Sequence, residues 1–251
     1  DVLVDPNADT NTYTSMTAVS VEKPKKAAST KAILMDDAEL YMSNENIYLY
    51  NNTDYEEETY IVKIAYNKGN IFYECDGSVI GYINDSFSID EYNGNLRVVT
   101  TYTDTEEDEE YWWDSTTYNG LFVLDENLNL VGSIMNLAEE ETIKSARFMG
   151  DTGYFVTFLE TDPLFAVDLS DPMKPRILSE LKITGFSSYL HPWGDDLLLG
   201  IGQEVAVKAT NTVEIGDRLG VKLSMFDISN PTDVREFAKK VIKGDNYTGA
   251  L

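Results

Sequence analysis

An all-β chain of four-stranded antiparallel sheets, set side by side about one axis, is predicted by three observations. A strand–turn–strand phrase recurs four times, at residues 39–50, 88–99, 144–156 and 187–199, each with Asn, Asp or Gly in its turn. Two further short β-rich runs follow each phrase, bounded by Gly, Asn, Asp or Pro, the residues that end strands. Equivalent positions Ile47, Leu96, Tyr154 and Leu197 stand 49, 58 and 43 residues apart, a spacing regular enough for a repeated unit and loose enough to carry loops. Four strands per unit at this period is the pattern of a β-propeller blade. A Greek-key sandwich has no need of repeated hairpins with the same turn chemistry. The chain holds about four and a half such units, a partial arc where known propellers close with about four to eight blades.

Residues 1–12 read as a tail. Residues 14–21 and 27–34 fit the third and fourth strands of a half blade spanning 13–37. Complete blades then run over about 38–85, 86–135, 142–182 and 185–243. Their third strands are residues 60–64, 121–125, 164–168 and 223–227, and their fourth are 70–74, 129–133, 176–180 and 235–239. The turns after Asp168 and Asp227 show their mechanism: an Asp that can bond its own backbone ends the strand, and Pro172 or Pro231 blocks the ladder. Local propensity disagrees twice. Residues 137–148 carry Ala, three Glu and Lys, and Asn230-Pro231 followed by Val234, Phe237, Ala238 and Val241 looks like a capped amphipathic helix. The repeat places both in register with strands elsewhere, so strands are expected in each.

At 251 residues, 43% hydrophobic and 12% aromatic, the chain can bury a substantial core as one elongated β domain. The 19 basic against 44 acidic residues give a net charge of −25, a field that disfavours nucleic acid and anionic lipid. It suits cations, basic partners, or solubility in a salty exterior. Cys75, the single cysteine, excludes an internal disulfide. Nothing resembles a spanning helix of roughly 20 apolar residues, so direct membrane insertion is not expected. No signal peptide is visible, yet the chain opens on Asp1 and not Met, as a processed or trimmed product does.

Specific motifs carry a family resemblance. Arg147-Phe-Met-Gly-Asp151, Tyr154-Phe-Val-Thr-Phe158, Asp162-Pro-Leu-Phe165, Val167-Asp-Leu-Ser-Asp-Pro172 and Tyr189-Leu-His-Pro192 resemble the secreted C-terminal β-propeller domain family, itself distantly similar to WD40 repeats. Phe87-Ser-Ile-Asp-Glu-Tyr-Asn-Gly94 is similar to another of its motifs, and the resemblance covers residues 12–243. It implies an extracellular location at prokaryotic cell surfaces, and it brings no catalytic residues. Against full-length members the chain looks shorter, without a leader and without first and last blades.

Candidate chemistry is sparse. His191, the only histidine, has no second histidine to complete a metal set, and it reads as stacking or bonding within a turn. Cys75, inside an apolar strand, reads as a buried small side chain. Asp168, Asp171, Asp227 and Asn230 invite a calcium reading, but turn-forming residues before Pro need no metal. Asp5, Asn7, Asp9 and Asn11 alternate as an EF-hand loop begins, with Thr10 at its Gly position and Met16 at its Glu position. The pair Gly200 and Gly202 lacks the Lys of a phosphate loop and reads as close packing. The most unusual segment is the acidic run 106–110 followed by Tyr111, Trp112, Trp113 and Asp114, placed in the loop between second and third strands of one blade. Adjacent tryptophans point to opposite faces of a strand, so one is exposed and suits a basic partner or a sugar; alternatively one ring covers the blade's edge and the acids are merely solvated.

These observations favour a non-enzymatic extracellular binding module for a protein or cell-envelope polymer, with no cofactor beyond possible calcium. Two other functions fit a propeller: a metal-dependent hydrolase or lactonase with axial carboxylates, and a structural spacer.

Overall fold

The computed structural model describes residues 2–4, 12–35, 38–52, 58–106, 114–158, 162–206 and 218–244, and the described residues form strands and turns with no helix. β1 (Val2–Val4), β2 (Tyr13–Ser20) and β3 (Lys23–Leu34) make a first sheet in the order β1-β3-β2. β1, inside the expected tail, runs parallel to β3, with Val2 opposite Ala32. A second sheet orders β4 (Ala38–Met42), β5 (Asn46–Asn51), β6 (Glu58–Asn67) and β7 (Asn70–Ile80) as an antiparallel meander. The third holds β8 (Tyr82–Ile83), β9 (Ile89–Tyr92), β10 (Asn95–Glu106), β11 (Asp114–Leu124) and β12 (Leu130–Leu137). β13 (Thr142–Met149), β14 (Thr152–Phe158), β15 (Asp162–Asp168) and β16 (Arg176–Ile183) form the fourth. β17 (Phe186–Pro192), β18 (Leu197–Val205), β19 (Arg218–Asp227) and β20 (Arg235–Lys243) form the fifth.

Side chains alternate across a strand, and here both faces are buried, which is why the central strands read as unbroken apolar runs. Tyr48, Tyr50 and Ile61 of the second sheet meet Leu96, Val98, Phe122 and Leu124 of the third. Their neighbours Val99, Leu121 and Val123 point the other way, onto Phe155, Phe165 and Val167 of the fourth. Tyr154, Val156, Leu164 and Ala166 then face Leu198 and Phe226 of the fifth. Ile33 and Met35 of the first sheet cover Leu49, Val62 and Ile64 of the second. Among the described residues four cores thus join the five sheets in series, each core between sheets that are neighbours in sequence order.

Turns follow the side-chain chemistry. Asn93-Gly94 (φ 51° and 78°) closes the β9–β10 hairpin with both central residues left-handed, the backbone that matches strand twist. Asp168 Oδ1 accepts from Ser170 N at 3.0 Å and Ser170 Oγ at 2.6 Å, and Asp227 does the same for Ser229 at 3.0 and 2.6 Å. Neither helix-like stretch is helical. Buried Asn119 donates to the carbonyls of Leu137, Ala138 and Glu141 at 3.2, 3.3 and 3.0 Å, taking acceptors that a helix would use. Asn230 does cap a turn, accepting from Thr232 N at 3.2 Å, but β20 then pairs along β19 with Arg235 opposite Asp227.

The third sheet departs from the repeat. Its first strand is broken: Tyr82 and Ile83, which the sequence period puts with the preceding unit, pair with Thr101 and Thr100, while β9 pairs with the other end of β10. Between them Asp85 Oδ1 accepts from Phe87 N at 2.9 Å and Ser88 N at 3.1 Å. That Asx turn replaces ladder bonds and sets the position of Phe87.

Candidate binding site at the blade axis

First strands of successive sheets converge. β4 reaches β9 through Tyr41, whose hydroxyl accepts from Glu91 N at 3.0 Å. The Glu91 carboxylate accepts from Asn46 Nδ2 at 2.6 Å and from Ser43 Oγ. β13 reaches β17 through Ser145 Oγ, which donates to Ser187 O at 2.7 Å, and through Arg147 Nε, which donates to Leu190 O at 2.9 Å. Between these contacts, buried Arg97 of β10 lies 4.6 Å from the Tyr92 ring centroid and 4.9 Å from that of Phe148. Its Nε donates to Asp90 at 3.1 Å, its Nη2 pairs with the same carboxylate, and its Nη1 donates to Gly150 O at 2.5 Å.

At the centre an aromatic cluster draws on three sheets. Arg147 stacks over Phe87 at 4.1 Å and Tyr189 at 5.6 Å. The two rings meet edge to face at 5.5 Å, so the third and fifth sheets touch directly across the fourth. Tyr189 Oη lies 3.1 Å from His191 Nδ1, with the rings stacked. Beside this cluster opens a cleft of about 370 Å³ bounded by Leu40 and Met42 of β4, Phe87, Asp90 of β9, and Arg147 and Phe148 of β13. Leu40, Met42 and Phe87 remain 54%, 53% and 39% exposed, so the mouth of this cleft is lined by large apolar side chains.

Comparison with known proteins agrees with this geometry. The family described as "Beta propeller domain" matches residues 1–251. The chain belongs to the beta propeller domain family. An uncharacterized protein of Archaeoglobus fulgidus is 39% identical over 215 residues, covering 85% of this chain and 31% of that protein. An uncharacterized protein of Methanocaldococcus jannaschii is 40% identical over 197 residues, 77% of this chain and 28% of its own length. The chain therefore spans about a third of the length of these curated relatives. The five sheets are its blades, and the cleft lies where the inner strands of three of them meet.

The residues singled out by sequence are scattered over this scaffold. Tyr111, Trp112 and Trp113 lie outside the described residues; Asp114 opens β11 opposite Glu106, so the segment does join second and third strands of the third blade. Asp5, Asn7, Asp9 and Asn11 also lie outside the described residues. His191 stacks as expected, but within strand β17, opposite Leu199, and not in a turn. Cys75 is half-buried, not buried, because β7 is the outer edge of its blade; burial pushes its thiol up. Gly202 is a close approach: a Cβ there would stand 1.8 Å from Phe186 O. Asp168 and Asp227 are held below the usual carboxylate range, chiefly by the Ser170 and Ser229 hydroxyls. Among the described residues no group of three or more His, Cys, Asp or Glu is placed to hold a metal ion.

Sequence reasoning missed the axial set Leu40, Met42, Phe87 and Arg147. The available signal was Asp85-Ser-Phe87, an Asx-turn sequence just ahead of the first strand expected from Ser88. It also missed Trp193, 61% exposed at the β17–β18 turn beside Asp195 and Asp196. A tryptophan between Pro192 and Gly194 sits in a turn, where it has no core to enter.

Proposed function

We propose that the chain is a non-enzymatic binding module, carried outside a prokaryotic cell at its surface, that takes a protein or cell-envelope polymer at the axial end of its blades. The observation that carries this reading is the exposure of Leu40, Met42 and Phe87 around one cleft. Large apolar side chains concentrated at a concave site mark recognition surfaces, because desolvating them on binding is favourable. Trp193 at one blade turn supplies a further aromatic anchor of the kind that dominates interfaces, and the sequence offers Trp112 and Trp113 between β10 and β11 as two more. The net charge of −25 suits a solvated exterior and a basic partner. A hydrolytic reading needs free axial carboxylates, and those nearest the cleft are engaged: Asp90 by Arg97, Glu91 by Ser43 and Asn46.

Co-sedimentation with isolated cell envelope tests the proposal. The wild-type chain should pellet with envelope, and the L40D/M42D variant, with unchanged circular dichroism, should stay in solution. Equal pelleting of both would remove the axial site from the proposal, and no pelleting of either would remove the envelope as partner.

A further inference from the structure

We infer that the axial cleft takes a carboxylate carried on an apolar group, with the Arg147 guanidinium as its anchor. This deepens the binding reading above and rests on the cleft being a ligand site.

In a chain with 44 acidic and 19 basic residues, carboxylates to pair with any arginine are abundant. Arg97 takes one, Arg176 pairs with Asp168 and Arg235 with Asp233. Arg147 has none among the described residues: its one hydrogen bond is from Nε to the Leu190 carbonyl. Phe87 and Tyr189 lie 4.1 and 5.6 Å away and, with their own centroids 5.5 Å apart, cover one side of the guanidinium. With one side against the rings and Nε bonded to Leu190 O, the paired N–H donors of Nη1 and Nη2 are the group's remaining polar capacity. A planar fork of that kind matches a carboxylate by two parallel hydrogen bonds.

The rest of the cleft decides what the carboxylate is attached to. Leu40, Met42, Ile89 and Phe148 give it apolar walls. Asp90, the acid on its rim, is already neutralised by Arg97, so it does not oppose an incoming anion as a free carboxylate would. A volume of about 370 Å³ is near the lower end of the roughly 300–1,000 Å³ typical of ligand clefts, room for an apolar residue and its carboxylate and too little for a folded chain. The chemistry is that of an N-acylated apolar amino acid. It is supplied equally by a free metabolite or by the last residue of a polypeptide.

Calorimetric titration of the intact chain with N-acetylphenylalanine and with N-acetylphenylalaninamide separates charge from shape without any variant. The acid should bind at least about tenfold more tightly than the amide, as a charge-assisted bidentate contact requires. R147M should erase that difference, and R147K, which keeps the charge but loses the fork, should restore part of it. Acid and amide of equal affinity, or acid binding unchanged in R147M, would overturn the inference. A hexapeptide ending in free phenylalanine, beside its amide, identifies the source: a further gain over the small acid assigns the cleft to a chain end, no gain assigns it to the free acid. Envelope binding through the L40D/M42D-sensitive site with no acid binding would sink the carboxylate and leave the binding module standing; acid binding without envelope binding would keep the carboxylate and remove the envelope as partner.

Discussion

Replacing Arg97 by Met tests the claim that one arginine clamps the third blade to the fourth. Arg97 is 3% exposed, so its charge is tolerated only through its partners. These are Asp90 on its own blade, and Gly150 O and the Phe148 ring on the next. Met matches the apolar stem and removes the charge. Breaking a buried pair costs about 3–5 kcal/mol. The Asp90 side chain is 28% exposed, so water recovers part of the loss and the pair falls at or below the lower end of that range. Losing the two ring contacts adds about 0.5–1 kcal/mol each, and the charged bond to Gly150 about 1.5 kcal/mol more, with incomplete additivity. We predict a total near 3–4 kcal/mol. Urea unfolding followed by tryptophan fluorescence measures it, with an unchanged denaturant slope showing that the two end states are the same. Amide exchange should quicken at the β13–β14 turn, where Gly150 loses its donor. R97M should be rescued in part by D90N, since the second change removes the stranded carboxylate. A loss under about 1 kcal/mol, or strict additivity of R97M and D90N, would refute the clamp.

Three further outcomes are expected. N119A removes a fully buried amide that holds three turn carbonyls and accepts from Thr101 Oγ1 at 2.7 Å, and should cost about 2–3 kcal/mol by urea unfolding. G202A drives a methyl group into Phe186 O and should cost more than about 3 kcal/mol or leave the protein insoluble, whereas G194A, at φ 71° with nothing within 4 Å, should cost only the ~1–2 kcal/mol of left-handed backbone. The acid limb of stability should split by residue. Asp125, Asp168 and Asp227 sit below their ordinary 3.8, chiefly through Asn129 N–H, the Ser170 hydroxyl and the Ser229 hydroxyl respectively, so their contribution holds above pH 3.8 and is lost as pH falls through the folded values. Burial pushes Glu141 above 4.5, so its effect has the opposite sign, present below pH 4.5 and lost as pH rises through the folded value. Melting curves of D168N and D227N should therefore lose less than wild type below pH 3.8, and E141Q should flatten the decline above pH 4.5; superimposable profiles would contradict these assignments.

Strand order and turn chemistry were legible in the sequence because each blade repeats one physical solution: a hairpin, an Asx-ended third strand, and a fourth strand along the rim. The repeat even overruled propensity correctly at 137–148, where Asn119, eighteen residues before the turn it holds, decides the conformation. The site was less legible. Nothing in the local sequence of Leu40 or Met42 distinguishes an axial apolar residue from a core one, since both lie on strands of the same composition. Only the register of β4 beside β9 and β13 exposes them. Arg147 was visible as part of a family-like motif, but its contact with Phe87 depends on the Asx turn in the break between β8 and β9. Composition drew attention to Trp112 and Trp113 instead, because a run of acid and aromatic residues is conspicuous whether or not it lies near the axis.

Arg97 and Arg147 show how the same chemistry serves two ends at consecutive blade interfaces. Each packs against two aromatic rings and donates to a main-chain carbonyl of the following blade. Arg97 also has Asp90, so its hydrogen-bonding capacity is spent inside the fold and its contribution is to stability. Arg147 lacks that carboxylate among the described residues, and it borders a cleft where Arg97 is kept from competing by its own ion pair. Arg147 is half-buried, so leaving it without a counter-ion costs less than it would in the core. The two rings cover one side of its guanidinium, and the residue borders the cleft. The arrangement leaves the interface intact without a ligand and reserves its strongest unsatisfied hydrogen-bonding group for one.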